Sequence, residues 1–214
     1  MRTTTILLAL AMTAGAALAD PIAEEAVQAQ TLPPSTIGVS VGLGGGVTDF
    51  TGSEMSNAST PGGAWEVRGT IGTRKLIAVE AAYVGSRRNI DVLGVSGTDG
   101  ETAHIFSNGL EGALRLQYPY LAGKWMFQPF VFGGLGWTHM GVDGTLTATS
   151  PIRDSDDLLV VPMGGGLSAT WNRIVLEARF TYRATYNEDL LVNSDGSKAS
   201  LSNWSTGALI GYEF

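Results

Sequence analysis

Along most of the chain, apolar and polar residues alternate one for one instead of recurring every three or four positions. Over residues 174–184 the even positions are Ile174, Leu176, Ala178, Phe180, Tyr182 and Ala184, while the odd positions include Glu177, Arg179, Thr181 and Arg183. Successive side chains of a strand point to opposite faces, so this pattern predicts a strand with one wholly apolar face and one charged face. The same design recurs over 64–72, where Trp65, Val67 and Ile71 oppose Glu66, Arg68 and Thr70, and over 76–85, where Ile77, Val79, Ala81 and Tyr83 oppose Glu80. Over 108–118, Leu110, Leu114, Leu116 and Tyr118 oppose Glu111, Arg115 and Gln117. Residues 35–47 and 203–214 alternate apolar residues with small or polar ones. Residues 126–137 and 158–170 are apolar and glycine-rich on both faces, which leaves their orientation open, and Pro129 and Pro162 each remove a ladder donor. The sum is eight predicted strands.

The connections between them settle the architecture. The gaps 48–63, 86–107, 138–157 and 185–202 are long, and they alternate with the short gaps 73–75, 119–125 and 171–173. That order predicts an all-β, eight-stranded antiparallel up-and-down transmembrane β-barrel with four long external loops at one end and short periplasmic turns at the other. An even strand number returns both termini to the turn end. Charge agrees with this picture: Asp91, Asp99, Glu101, Asp154, Asp156 and Asp157 fall in long connections, whereas Arg74, Lys75, Lys124 and Arg173 fall in short turns. The apolar face of every clearly oriented strand is free of charge, and an Arg or Lys there at mid-depth would cost about 2–4 kcal/mol.

The start of the chain reads as an address. Arg2, an apolar stretch and the small-x-small sequence Ala17-Leu18-Ala19 fit a secretory signal peptide over 1–19, removed before Asp20. Residues 20–34, with Pro33-Pro34 at their end, fit a flexible periplasmic tail, and 35–214 form the barrel domain. The apolar stretch is shorter than the ~20 residues of a spanning helix, as is every later one. Export together with the barrel pattern places the chain in a bacterial outer membrane.

Composition then removes whole classes of function. Charged residues make up 15% of the chain and cysteine is absent, so a disulfide scaffold, a thiolate metal site and a cysteine nucleophile are excluded. A net charge of −7 gives no support to nucleic-acid binding. The glycine runs precede no helix and so do not form a nucleotide loop. No cofactor and no metal site is expected. Arg153-Asp154-Ser155-Asp156-Asp157 is acidic but lacks the ligand spacing of a calcium-binding loop.

The interior of an eight-stranded barrel is just wide enough for side chains to fill. The polar faces supply Glu66, Arg68, Glu80, Glu111, Arg115, Glu177, Arg179 and Arg183, with Glu213 beside them. Near balance of sign in so narrow a space implies mutual ion pairing. Two readings follow: a static polar filling, which the barrel's size favours, or a narrow channel gated by exchange of ion pairs.

Aromatic residues sort by depth, with Trp65, Tyr83, Trp137 and Trp204 near the loop ends and Tyr118, Trp171, Tyr212 and Phe214 near the turn ends. Two headgroup-level belts are expected from that distribution. The run 204–214 ends on alternating apolar residues with a terminal aromatic, and it resembles the insertion signal of outer-membrane barrels. Residues 128–137 are similar to a mid-barrel strand of the small OmpA-like barrels. The resemblance implies that Trp204, Ile210, Tyr212 and Phe214 form an assembly signal read by the barrel assembly machinery.

Some barrels of this kind modify lipid A, and His104, Ser107 and Asn108 superficially resemble a deacylase cluster. Residues three apart on a strand face opposite sides, however, so a Ser–His hydrogen bond would need a bulge. His139 has Asp143 nearby but no serine on a shared face. The reading reached is a non-enzymatic outer-membrane protein with a structural or surface-interaction role through its long loops. Its expected partners are outer-membrane lipid and lipopolysaccharide, whose phosphates Arg87 and Arg88 could contact.

Overall fold

The computed structural model describes residues 37–90, 95–96, 103–143, 145–146, 155–186 and 200–214. The signal peptide and tail expected over 1–34, and most of each long loop after the first, lie outside the described residues. Eight long strands carry the architecture: β1 (Val39–Phe50), β2 (Gly62–Ile71), β3 (Ile77–Ile90), β4 (Ala103–Gln117), β5 (Trp125–Asp143), β6 (Ser155–Trp171), β7 (Ile174–Tyr186) and β8 (Asn203–Glu213). Each pairs antiparallel with its neighbours in sequence. Strand β1 also pairs with β8, from Ser40↔Glu213 to Phe50↔Asn203, so the sheet closes on itself and has no edge. This is the eight-stranded antiparallel barrel that the alternation predicts.

The turns are tight for reasons written in their residues. Trp171 faces Ile174 across a two-residue loop in which Asn172 and Arg173 both have positive φ, 45° and 72°. Such a turn matches the right-handed twist of the flanking strands, and asparagine tolerates that conformation better than most residues. Between β2 and β3, Gly72 has a φ of 93°, and a Cβ there would lie 2.9 Å from the Ile77 carbonyl oxygen. Only glycine fits this corner.

Toward the turn end the barrel is inside-out. Leu43, Leu110, Leu114, Leu135, Phe180 and Ile210 expose half or more of their surface, while Arg68, Glu80, Arg115 and Glu177 are buried. Toward the loop end the strands continue past the expected boundaries: β1 runs to 50 instead of 47, β3 to 90 instead of 85, and β5 to 143 instead of 137. In these extensions apolar side chains join polar ones such as Thr48 and Arg88 in the interior, and polar side chains appear outside. Phe50, Ile105, Met140 and Leu158 are now buried inside, while Asp49, His104, His139 and Asp157, one residue away in each strand, point outward. The helix α1 (Ser53–Ala58) brings Met55 over the mouth, where it joins Phe50, Ile105, Met140, Leu158, Val160 and Leu201 in one apolar cluster. The long loops add little regular structure among the described residues beyond the two-residue ladder Val95–Ser96 with Thr145–Leu146.

Candidate functional site

The interior is layered, and its middle layer holds the expected charges. Glu66 and Arg68 enter from β2, Glu80 from β3, Glu111 and Arg115 from β4, and Glu177, Arg179 and Arg183 from β7, all at inward parity. Two carboxylates knit the layer together. Glu177 meets Arg68 at 2.8 Å, Arg115 at 2.6 Å and Arg179 at 3.0 Å. Glu80 meets Arg179 at 2.7 Å, Arg115 at 3.0 Å and Arg68 at 3.9 Å. Every one of these three arginines therefore touches both carboxylates, and Glu66 supplies a third, 2.5 Å from Arg68. A separate pair joins Arg183 to Glu111 at 2.5 Å, with Ser205 accepting from the other side of the guanidinium at 2.7 Å.

The two strands whose orientation the pattern left open complete this layer. Strand β5 turns Phe130 and Phe132 inward, and their rings lie under the guanidinium groups: Arg115 is 3.6 Å from the Phe130 centroid and Arg179 is 4.0 Å from that of Phe132. Cation–π contact of this kind is worth about 2 kcal/mol or more when desolvated. Strand β6 makes room for the rings with glycine, since a Cβ at Gly166 would sit 2.7 Å from Phe130 and one at Gly164 3.1 Å from Phe132. The apolar inner face of these strands is thus part of the charged layer, which is why period-two reasoning could not orient them.

Beneath lies a floor made by the turn at 72–75. Thr73 is buried and donates to Glu213, whose carboxylate also accepts from Arg74 at 3.2 Å. The Gln117 amide donates to the carbonyls of Gly72 and Thr73, both at 3.0 Å, and Gln128 donates to the Thr73 carbonyl as well. Above lies the apolar roof. The charged layer separates two cavities, one of about 60 Å³ on the roof side and one of about 20 Å³ above the floor. The upper cavity is mostly apolar, with the hydroxyl groups of Thr48, Ser86, Thr138, Thr181 and Thr185 and the charged groups of Glu66, Arg179 and Arg183 also in its lining.

Arg87 and Arg88, expected together as a lipopolysaccharide contact, are split by the strand. Arg87 is on the outer surface and stacks over Phe106 at 5.0 Å. Arg88 is 2% exposed and points inward, its ring-facing side 4.2 Å from the Phe50 centroid. An external phosphate contact is therefore unavailable to Arg88. The correction follows from β3 continuing to Ile90: Arg88 has the same parity as Glu80 and shares its face. Sequence reasoning also missed the Arg74–Glu213 pair and the inward role of Phe130 and Phe132.

The deacylase-like residues do not converge. His104 lies on the outer side of β4, whereas Ser107 points inward and shares a hydrogen bond of 2.8 Å with Ser86. Asn108 accepts from the Tyr83 hydroxyl on the outer face at 3.0 Å. His139 pairs with Asp157 at 2.9 Å on an exposed stretch of β5 and β6. Among the described residues no cluster of three metal-ligating side chains is present.

On the outer face, Trp65, Tyr83 and Trp137 lie near the loop end, while Tyr118, Trp125, Trp171, Tyr212 and Phe214 lie near the turn end, all substantially exposed. Trp125 and Trp171 stack at 5.9 Å, and Tyr212 meets Phe214 edge-on at 5.3 Å. The structure thus places Ile210, Tyr212 and Phe214 on the exposed wall, with Trp204 half-buried against Phe180 at 6.4 Å.

No family model and no characterised protein sequence matches this chain. Its fold is similar to that of Neisserial surface protein A, with a TM-score of 0.57 at 12% identity over 82% of this chain and 97% of the other. Weaker likenesses are to the N-terminal β-barrel domain of OprF from Pseudomonas aeruginosa (TM-score 0.45, 10% identity, 82% and 97% covered) and to Ail of Yersinia pestis (TM-score 0.45, 13% identity, 83% and 97% covered). The likeness to Neisserial surface protein A is one of fold: a small outer-membrane β-barrel.

Proposed function

We propose that this barrel resides in a bacterial outer membrane as a non-enzymatic protein, structural or interactive at the cell surface, presenting its four long loops outward. The observation that carries the reading is the closed inside-out wall around a filled interior. An apolar outer band belongs in hydrocarbon, and a core of mutually paired side chains suits a rigid scaffold better than a pore. The separation of His104 from Ser107 supports a non-enzymatic role. Arg87, exposed beside the upper aromatic level, is placed to meet a lipid phosphate, and lipopolysaccharide is the partner proposed for it. Export through the signal peptide and insertion by the barrel assembly machinery, read through Trp204, Ile210, Tyr212 and Phe214, complete the proposal.

Fractionation of a producing cell, with gel mobility of heated and unheated samples in SDS, tests the location. A faster unheated band in the outer-membrane fraction is the expected result, and a soluble periplasmic protein without a heat shift would refute it. Deleting residues 91–102 or 187–199 should leave the heat shift intact while abolishing whatever surface binding the full chain shows. An altered lipid A mass profile on overexpression would contradict the non-enzymatic reading.

A further inference from the structure

Two cations at the turn end take no part in the interior. Ala122 faces Trp125 across Gly123-Lys124, and Trp171 faces Ile174 across Asn172-Arg173. Trp125 and Trp171 are themselves register partners, so the two tight turns stand side by side, each with one cation. Lys124 and Arg173 are both exposed, and among the described residues neither is in an ion pair. The Arg173 Nη1 lies 3.5 Å from the Tyr212 hydroxyl, which turns the guanidinium toward the outer wall. Glu213 is the acid whose charge reaches Arg173, but it is 2% exposed on the inner face and is held there by Arg74 and Thr73. Next to the turns, Trp125 and Trp171 stack at 5.9 Å, and Phe127 extends the stack at 6.2 Å. Exposed indole rings settle at headgroup level. Further along the same two strands, Val131 and Leu167 continue the exposed apolar wall. A molecule lying against this strip meets two cations, then an aromatic shelf, then an apolar surface. A phospholipid has that order of polarity from its phosphate to its acyl chains, whereas a free inorganic anion matches only the first tier.

We infer that Lys124, Arg173 and the Trp125–Trp171 stack form a site for an anionic phospholipid of the leaflet at the turn end. The two cations hold its phosphate, and its acyl chains lie along the outer face of β5 and β6. This inference rests on the membrane placement proposed above and adds a lipid preference to it.

The test is lipid-selective quenching of tryptophan fluorescence. The full chain is refolded into phosphatidylcholine vesicles that contain a minor share of lipid brominated near the headgroup, either phosphatidylglycerol or phosphatidylcholine. Quenching by the brominated phosphatidylcholine reads contact of the wall with lipid, and the excess caused by phosphatidylglycerol reads the site. At low ionic strength one cation near a membrane surface is worth about fivefold in affinity, so the native chain should prefer phosphatidylglycerol about 25-fold. The preference should drop to about fivefold in Lys124→Gln and in Arg173→Asn, and vanish in the double variant. Asparagine tolerates the positive φ at position 173, and the heat-shifted band in SDS verifies that each variant folds. Arg87→Gln, which removes a cation at the other end of the barrel, should keep the full preference. Quenching by both lipids without preference would overturn the site and leave the membrane placement standing, whether the cations are met by the acidic residues Asp20, Glu24 and Glu25 or by water. Quenching by neither lipid would overturn both. A preference that the double variant keeps, or that Arg87→Gln loses, would also overturn the inference.

Discussion

The lower and upper halves of the wall are built from the same eight strands yet obey opposite rules. On β5, Val131 and Leu135 face outward in the lower half, and the ring-bearing inner face supports arginine. A few residues further along the same strand, His139 is outside and Met140 is inside. The strand parity never changes; only the chemistry assigned to each face does. On the proposed outer-membrane reading, the difference marks where the solvent changes. A hydrocarbon surround demands apolar residues outside and tolerates charge inside provided every charge is matched, whereas a water surround restores the ordinary order. The two interiors differ accordingly in what they require. The charged layer works only as a set, since Glu80 and Glu177 are each shared by three arginines. The roof needs volume and apolarity, which a range of side chains could supply.

The largest effect should come from breaking the shared layer. Glu177→Ala leaves Arg68, Arg115 and Arg179 short of one carboxylate, and loss of one partner of a buried ion pair costs about 3–5 kcal/mol. Urea unfolding of vesicle-embedded protein measures it. In the roof, Leu158→Ala should lose about 3 kcal/mol by leaving a cavity. The two residues share no partner, so the double variant should be additive within about 0.5 kcal/mol. A large coupling would mean that the tiers form one cooperative unit instead of two.

A matched pair on one outer face sharpens the boundary between the halves. Leu135→Arg should destabilise by about 2–4 kcal/mol, the penalty for a cation on the lipid face, whereas His139→Arg should change stability by about 0–1 kcal/mol. Similar values for both would erase the distinction between lower and upper wall. The smallest effect belongs to Asp157→Asn, which removes an exposed pairing with His139 and should alter stability by less than about 1 kcal/mol in the same unfolding assay.

How much was legible in the sequence follows the same boundary. In the lower wall the alternation of Leu110 with Glu111, or of Leu176 with Glu177, reports both the strand and its orientation, and the eight interior charges named from parity all point inward in the structure. The pattern fades where the wall reverses polarity, because a change of phase looks like the end of a strand. That is why the alternation predicts an end to β3 at 85 and leaves Arg88 to the outer surface. Parity alone would have found it, since Arg88 stands eight residues from Glu80 on one continuous strand. Strands β5 and β6 were opaque for a different reason. Phe130 and Phe132 are apolar residues serving a polar layer, and the complementary glycines Gly164 and Gly166 leave no side chain to read. The pairing of Arg74 with Glu213 joins a turn to the last strand across the barrel, a contact with no local signature.

The most direct test of the reversal is a scan along one outer face. The chain has no cysteine, so single replacements Val131→Cys, Gly133→Cys, Leu135→Cys, Trp137→Cys, His139→Cys and Gly141→Cys can each carry one spin label in a lipid bilayer. Collision rates with oxygen, which partitions into lipid, and with a water-soluble nickel chelate then report the surround of each site. The account predicts oxygen-dominated relaxation at 131, 133 and 135, a crossing near 137, and nickel-dominated relaxation at 139 and 141. Nickel access at all six positions would contradict it, because the apolar band would then face water.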